Sequence, residues 1–231
     1  MSLIISHLTV QVESKILLSN ISFELKKGET VGLMGPNGSG KSSLALTLMG
    51  HPRYQITSGG IYLDRKDISK LPPDQRAKLG LFLGFQNPSA LPGVNVRQLI
   101  TSTHKSALSI KRQAQKLAKN LFLEQESTNR SLNLDFSGGE KKKMEVLQMD
   151  LLNPRYAILD EIDSGLDLDA LRLISSSIKK SSAGILVITH YPRLLKLLSP
   201  NRILILKSGT IVKFASSDII SQLEKSGYSH I

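Results

Sequence analysis

Residues 35–42 read Gly35-Pro36-Asn37-Gly38-Ser39-Gly40-Lys41-Ser42 and satisfy G-x-x-x-x-G-K-[ST] at every fixed position. The stretch follows a short apolar run, Val31 to Met34, and precedes a segment from about Lys41 to Met49 with helical character. That order, strand then glycine-rich loop then helix, is the setting in which the motif works. Glycines let the backbone wrap so that its N–H groups converge on an anion, and the helix N-terminus adds partial positive charge. Lys41 is then expected to reach the β- and γ-phosphates of a nucleotide, the Ser42 hydroxyl to ligate Mg²⁺ and Ser43 to donate to the α-phosphate.

Working outward, the flanking sequence alternates between strand and helix. Ile21 to Leu25 and Thr30 to Met34 are apolar runs separated by the turn-like Lys26-Lys27-Gly28-Glu29, Gly59-Gly60 leads into Ile61 to Leu63, and Leu81 to Phe85 reads as a buried strand. Pro88, Pro92 and Gly93 then break the pattern, and residues 96–123 carry helical spacing through Leu108, Gln115, Leu117, Ala118, Leu121 and Phe122. This predicts a mainly helical insertion ending near Pro154. Beyond it come Tyr156 to Leu159, a helix from Leu168 to Lys180, Ile185 to Ile188, a helix from Leu194, and Ile203 to Leu206. Such alternation predicts a parallel, doubly wound α/β sheet.

Two further elements belong with the loop. Tyr156-Ala157-Ile158-Leu159-Asp160-Glu161 is a buried-strand sequence ending in two carboxylates, at the sheet edge where α/β folds bind ligands. There Asp160 is expected to hold Mg²⁺, directly or through water, and Glu161 to polarise an attacking water; by itself the pair also reads as a helix-capping acid cluster. Phe136-Ser137-Gly138-Gly139-Glu140 contains an S-x-x-E capping box that opens a helix running through Lys143, Val146 and Leu147. Capping does not call for two consecutive glycines, and exposed N–H groups at such a helix start are also an anion site.

Composition narrows the chemistry. The 231 residues include 30 Lys+Arg against 19 Asp+Glu, 40% hydrophobic residues and no cysteine. Disulfides, thiolate metal sites and a cysteine nucleophile are therefore excluded, and His7, His51, His104, His190 and His230 show no ligand spacing. Apolar runs such as Ile185 to Ile188 fall far short of the ~18 residues that suggest a membrane span. The start of the chain alternates into Leu8, Val10 and Val12 with no basic or Arg/Ser-rich leader, so the expected compartment is a bacterial cytoplasm, or the stroma of an organelle that encodes the protein itself. The formal charge of +11 is spread over short groups, Lys26-Lys27, Lys111-Arg112, Lys141 to Lys143 and Lys179-Lys180, with no interleaved aromatic platform. An acidic protein partner or a solvated surface is expected ahead of direct nucleic-acid binding.

Taken together, the phosphate loop, Gln86, Phe136 to Glu140, Asp160-Glu161, Ser164-Gly165-Leu166-Asp167 and His190 occur in one order that resembles the ATP-binding-cassette ATPases. The resemblance spans essentially the whole chain. It implies a single α/β P-loop ATPase domain over residues 1–231 with a RecA-like core, an antiparallel β subdomain and an inserted α-helical subdomain. Residues 1–87 and 155–231 would form the nucleotide-binding core, and 88–154 the helical subdomain carrying the signature. It implies ATP and Mg²⁺ as cofactors, and a composite site in which Ser137 and Gly139 of one chain contact the γ-phosphate held by Lys41 of another, with Asp167 reporting across an ATP-dependent homodimer contact. Gln86 would sense Mg²⁺ and the γ-phosphate, and His190 would hold that phosphate and Glu161 in register.

Within the family, Met49-Gly50-His51-Pro52, Phe85-Gln86-Asn87-Pro88 with Pro92-Gly93-Val94, Phe136 to Lys142, Asp160 to Leu171, Thr189-His190-Tyr191 and Leu223 to Tyr228 resemble the ATPase subunits of the Suf iron–sulfur cluster assembly machinery. That narrower likeness implies the SufB and SufD scaffold subunits as partners. With no thiolate of its own, the chain would leave cluster and sulfur ligation to them. The chain departs from the family at Ile162, Lys143, Ala90-Leu91 and Gln11-Val12-Glu13, the last offering no aromatic ring for adenine. The alternative reading, the ATP-hydrolysing subunit of a membrane transporter, uses the same residues.

Overall fold

The computed structural model describes residues 1–101 and 107–228. Among them, β1 (Ser2–Val12), β2 (Lys15–Lys26), β4 (Gln55–Leu63) and β5 (Lys66–Asp67) form an antiparallel sheet in the order β2-β1-β4-β5. Leu3, Ile5, Leu8, Val10 and Val12 of β1 all face inward. The three-residue step from Ile5 to Leu8 keeps one face buried because the strand bulges there, with His7 at φ 48 and the register shifting on both neighbours. Opposite the bulge, a Cβ on Gly59 would lie 2.3 Å from the main-chain oxygens of Ser6 and His7. Gly59 and Gly60 therefore lie inside β4 and do not precede it, which corrects the expected start of that strand near Ile61.

The second sheet has the order β10-β9-β3-β8-β7-β6. Its strands are β3 (Thr30–Met34), β6 (Leu81–Gly84), β7 (Tyr156–Asp160), β8 (Gly184–Ile188), β9 (Arg202–Lys207) and β10 (Thr210–Ala215). Five strands are parallel, as expected; β10 pairs antiparallel with β9. The hairpin turns on Ser208 and Gly209, both at positive φ (48 and 77), the mirror-turn geometry that suits a two-residue loop.

Alternation along these strands sorts the core into two halves. Leu186, Ile188, Leu204 and Leu206 pack toward α1 (Lys41–Met49) and the antiparallel sheet, while Ile185, Val187, Ile203 and Ile205 pack toward α5 (Gly138–Leu152), α6 (Leu168–Lys180), α7 (Pro192–Leu198) and α8 (Ile219–Ser226). Strands buried on both faces read as continuous apolar runs. α6 shows why these helices begin and end where they do: Asp167 caps Ala170 N at 2.7 Å, Lys179 and Lys180 close the last turn, and Leu171, Ile174 and Ile178 line the buried face.

Between β6 and β7, after the short α2 (Pro73–Lys78) has led into β6, lie α3 (Val96–Thr101), α4 (Ala107–Asn120), a 3₁₀ turn (Gln125–Thr128) and α5. Ala118 and Leu121 are buried as their spacing predicts. Phe122 is not: α4 ends at Asn120, and Phe122, at φ 50, is 76% exposed. Residues 102–106 of the expected helical span lie outside the described residues.

Candidate functional site

The phosphate loop leaves β3 at Met34 and reaches α1 through Gly40, which sits at φ 106 in the left-handed region that favours glycine. Gly35 is required for a different reason: a Cβ there would fall 2.1 Å from the main-chain oxygen of Leu206 on β9. α1 opens with no side-chain cap and no acidic residue in its first turn, so its leading N–H groups are left to an anion. They face a cavity of about 370 Å³ lined by Asn37, Gly38, Gly40, Lys41, Ser42 and Ser43, with Gln86, Glu161 and His190 across it and Leu17 at its rim.

Lys41 is buried. Its ammonium donates to the main-chain oxygens of Gly35 and Pro36 at 2.9 and 3.0 Å. Burial lowers its pKa, while Glu161 and Asp160 act against that. The Ser42 hydroxyl hydrogen-bonds the Asp160 carboxylate, whose pKa is raised to about 6, first by burial, with that hydrogen bond and the nearby Lys142 and Lys41 opposing and Glu161 adding to the rise. Asp160 Oδ1 is buried with no hydrogen-bond partner. An orphaned carboxylate oxygen beside a serine hydroxyl, next to a loop shaped for phosphate, fits Mg²⁺, which takes few protein ligands and draws the rest from phosphate and water. Among the described residues no group of three or more His, Asp or Glu could hold a metal unaided.

Glu161 follows directly, at φ 48, its N–H held by the Ile188 carbonyl at 2.8 Å. That turn brings its carboxylate between two partners from distant parts of the chain. Gln86 Nε2 donates to Oε2 at 2.5 Å, and His190 Nδ1 lies 3.3 Å from Oε1. The loop carrying His190 is set by Thr189, whose hydroxyl donates to Asp163 at 2.6 Å and accepts the Tyr191 N–H at 2.9 Å.

Ser137, Gly139 and Asp167 stand apart from this cavity. Ser137 caps α5 with the full box: its N–H and hydroxyl donate to Glu140 at 2.8 and 2.7 Å, and Glu140 N donates back at 3.3 Å. A Cβ on Gly138 would meet nothing within 4 Å, and Asp167 is exposed at the start of α6. The chain thus brings Lys41, Ser42, Gln86, Asp160, Glu161 and His190 together and leaves the glycine-rich helix start facing outward.

Three residues of the site escaped the sequence reading. Lys142 and Glu145, one and two turns into α5, are almost fully buried. Lys142 donates to the main-chain oxygens of Phe85, at 3.3 Å, and Gln86, while Glu145 accepts the Phe85 N–H at 3.0 Å and the Gln148 amide at 3.3 Å. Desolvation raises Glu145 to about 7, against the pull of the Phe85 N–H, Lys142 and Gln148. Gln86 is therefore gripped by its backbone from α5 and by its side chain from Glu161. Arg76, 2% exposed, donates to the carbonyls of Thr47 and Leu48 at the C-terminal end of α1 (2.9 and 2.7 Å) and to those of Leu71 and Ser69 (both 2.8 Å). In the sequence Lys142 and Glu145 are charges on an expected helix and Arg76 lies in a stretch given no element, with nothing local to mark any of the three as buried.

A family model described as ABC transporter matches residues 18–164. Vegetative protein 296 of Bacillus subtilis (strain 168) is 42% identical over 242 residues, covering 100% of this chain and 93% of its own length. The probable ATP-dependent transporter ycf16 of Antithamnion sp. is 40% identical over 241 residues, covering 98% of this chain and 96% of its own. Among solved structures, the dimeric structure of a bacterial ABC transporter cassette resembles the fold with a TM-score of 0.80 at 22% identity, over 93% of this chain and 98% of that one.

Proposed function

The chain belongs to the ABC transporter family, and from its signature and catalytic stretches we propose that it is the ATPase subunit of a Suf-type iron–sulfur cluster assembly machine, a SufC, whose ATP-driven closure moves a SufB–SufD scaffold. The chain is an ATPase of the cassette fold that works with ATP and Mg²⁺. The observation that carries the chemical part is the placement of Glu161 between Gln86 and His190, across the cavity from Lys41 and Ser42.

Lys41 leaves the carbonyls of Gly35 and Pro36 for the phosphates, which are better acceptors for a buried ammonium. Loop N–H groups from Gly38 to Ser43 cradle the remaining oxygens. Ser42 and Asp160 would hold Mg²⁺, which supplies charge neutralisation at the phosphates, and Gln86 stands beside them. Glu161 takes the proton of the attacking water, with His190 fixing its carboxylate. Ser137 and Gly139, turned away from their own chain's cavity, complete the site of a second copy, and Asp167 lies at that contact. Closure then requires the helical element, residues 88–154, to move against the core formed by 1–87 and 155–231; Gln86 is the link, through Lys142 and Glu145.

A largely apolar groove of about 700 Å³ runs from Phe85 past Ile100, Leu151 and Leu152, beside that link. It suits a helix of the scaffold. The Suf assignment is supported by the stretches Phe136 to Lys142 and Asp160 to Leu171, which lie in the signature and catalytic segments. The proposed compartment is a bacterial cytoplasm or an organellar stroma; among the described residues no helix is long and apolar enough to cross a membrane.

A second reading, the ATPase subunit of a membrane transporter, is favoured by the likeness to the probable ATP-dependent transporter of Antithamnion sp., and the groove would then receive a coupling helix. Purifying the full chain from its host decides between them. Recovery with SufB and SufD supports the first; recovery with a transmembrane permease and no scaffold subunit overturns it.

A further inference from the structure

The two described residues after α8 bring a tyrosine against the phosphate loop. α8 sinks Ile219, Ile220 and Leu223 into the core, and Gly227, at φ 60 with its N–H on the Leu223 carbonyl at 2.9 Å, turns the chain. Tyr228 then packs, half-buried, on the same apolar cluster and presents its hydroxyl to the Gly35 N–H, which donates to it at 3.1 Å. Burial pushes the phenol pKa up, with the Gly35 N–H opposing, so the group is a neutral acceptor at physiological pH.

Gly35 is confined on its other sides as well. Leu206 O and Ser39 Oγ close over its Cα, at 2.1 and 2.8 Å from where a Cβ would stand, and its carbonyl carries the Lys41 ammonium at 2.9 Å. Tyr228 therefore holds the N–H of the same residue whose carbonyl parks the phosphate-binding lysine. We propose that Tyr228 is a positioning residue for the nucleotide site, fixing the base of the phosphate loop through Gly35. Without the phenol oxygen a part-buried N–H loses its partner. The loop then has to be ordered at the expense of nucleotide binding.

This inference rests on the reading of the loop as the ATP site, and the test separates the two. MgADP is titrated calorimetrically into full-length wild type, Tyr228→Phe, Tyr228→Ala and Lys41→Ala, with steady-state ATPase and thermal melting of the nucleotide-free proteins alongside. Tyr228→Phe keeps the ring and removes one acceptor; the MgADP Kd and the KM for ATP should rise about 3- to 10-fold, the scale of one hydrogen bond, with kcat unchanged and the nucleotide-free melting temperature lowered by only about 2–4 °C, the shift that one such bond makes. Tyr228→Ala should add a loss of melting temperature from lost packing. A Phe variant that binds MgADP as wild type does, or that lowers kcat while Kd and KM stay at wild-type values, overturns the inference. A wild-type chain that takes up no MgADP overturns the ATP reading beneath it, and the inference with it.

Discussion

The Glu145 carboxylate on α5 accepts the main-chain N–H of Phe85 at 3.0 Å, sixty residues away in sequence, and does so almost completely buried. This contact ties the helix that follows the glycine-rich signature to the strand end that carries Gln86.

Its charge state sets a pH dependence. Burial raises Glu145 from 4.5 to about 7, so the folded protein binds more protons than the unfolded chain between those values, and this group's contribution to stability falls as pH rises through that window. Glu145→Gln keeps an acceptor for Phe85 and removes the titration. Its melting temperature should match wild type near pH 4.5 and exceed it by pH 8, with a ceiling of roughly 3 kcal/mol at about 1.4 kcal/mol per pH unit. Parallel melting curves at both pH values would refute the assignment.

Asp160 gives a second, functional pH signal. With its pKa raised to about 6 by burial, it is neutral in acid and a poorer Mg²⁺ ligand, so Mg²⁺-dependent nucleotide affinity should weaken as pH falls from 7 to 5. Asp160→Asn should abolish that profile. It should also melt higher than wild type in the absence of nucleotide at pH 8, because a buried, half-satisfied carboxylate has been removed.

Lys41→Ala should eliminate productive ATP binding. Glu161→Gln should retain it, lower kcat by at least ~100-fold, the scale of general-base loss, and accumulate as a closed dimer that sedimentation detects. Wild-type turnover in Glu161→Gln would remove Glu161 from its assigned role.

The outward-facing Ser137 predicts complementation between chains. Ser137→Ala should cost about 1 kcal/mol of stability through the lost cap, leave ATP binding by the monomer intact and impair hydrolysis. Mixed with Lys41→Ala, it should regain activity, since a dimer of the two variants contains one site with both Lys41 and Ser137. No gain on mixing would argue that each chain hydrolyses ATP alone.

Arg76 is a buried cation held by four carbonyls, two of them ending the helix that starts with Lys41. Arg76→Met should destabilise the fold by on the order of several kcal/mol, read as a lower melting temperature, and Arg76→Lys should recover only part of it because an ammonium cannot span the same four acceptors.

Local pattern determined a good deal of this protein. The spans of α1 and α6, the capping box at Ser137, the five parallel strands and the phosphate loop all follow from residues within a few positions of one another, because caps, glycine conformations and apolar periodicity act at that range. Where periodicity alone carries the expectation, as at Phe122, the helix end overrules it; where a glycine pair is expected to lead into a strand, a bulge in the neighbouring strand places the pair inside it.

The tertiary structure alone decided which distant groups meet. Gln86 and Glu161 are 75 residues apart, Phe85 and Glu145 60, and Gly35 and Tyr228 193. Their contacts follow from a strand order that places β3, β8, β7 and β6 side by side and from helices packed across it. The same placement buried Lys142, Glu145 and Arg76, whose charges look like surface in the sequence. A charge's neighbours are a property of the packed layers, and no periodicity in the chain encodes them.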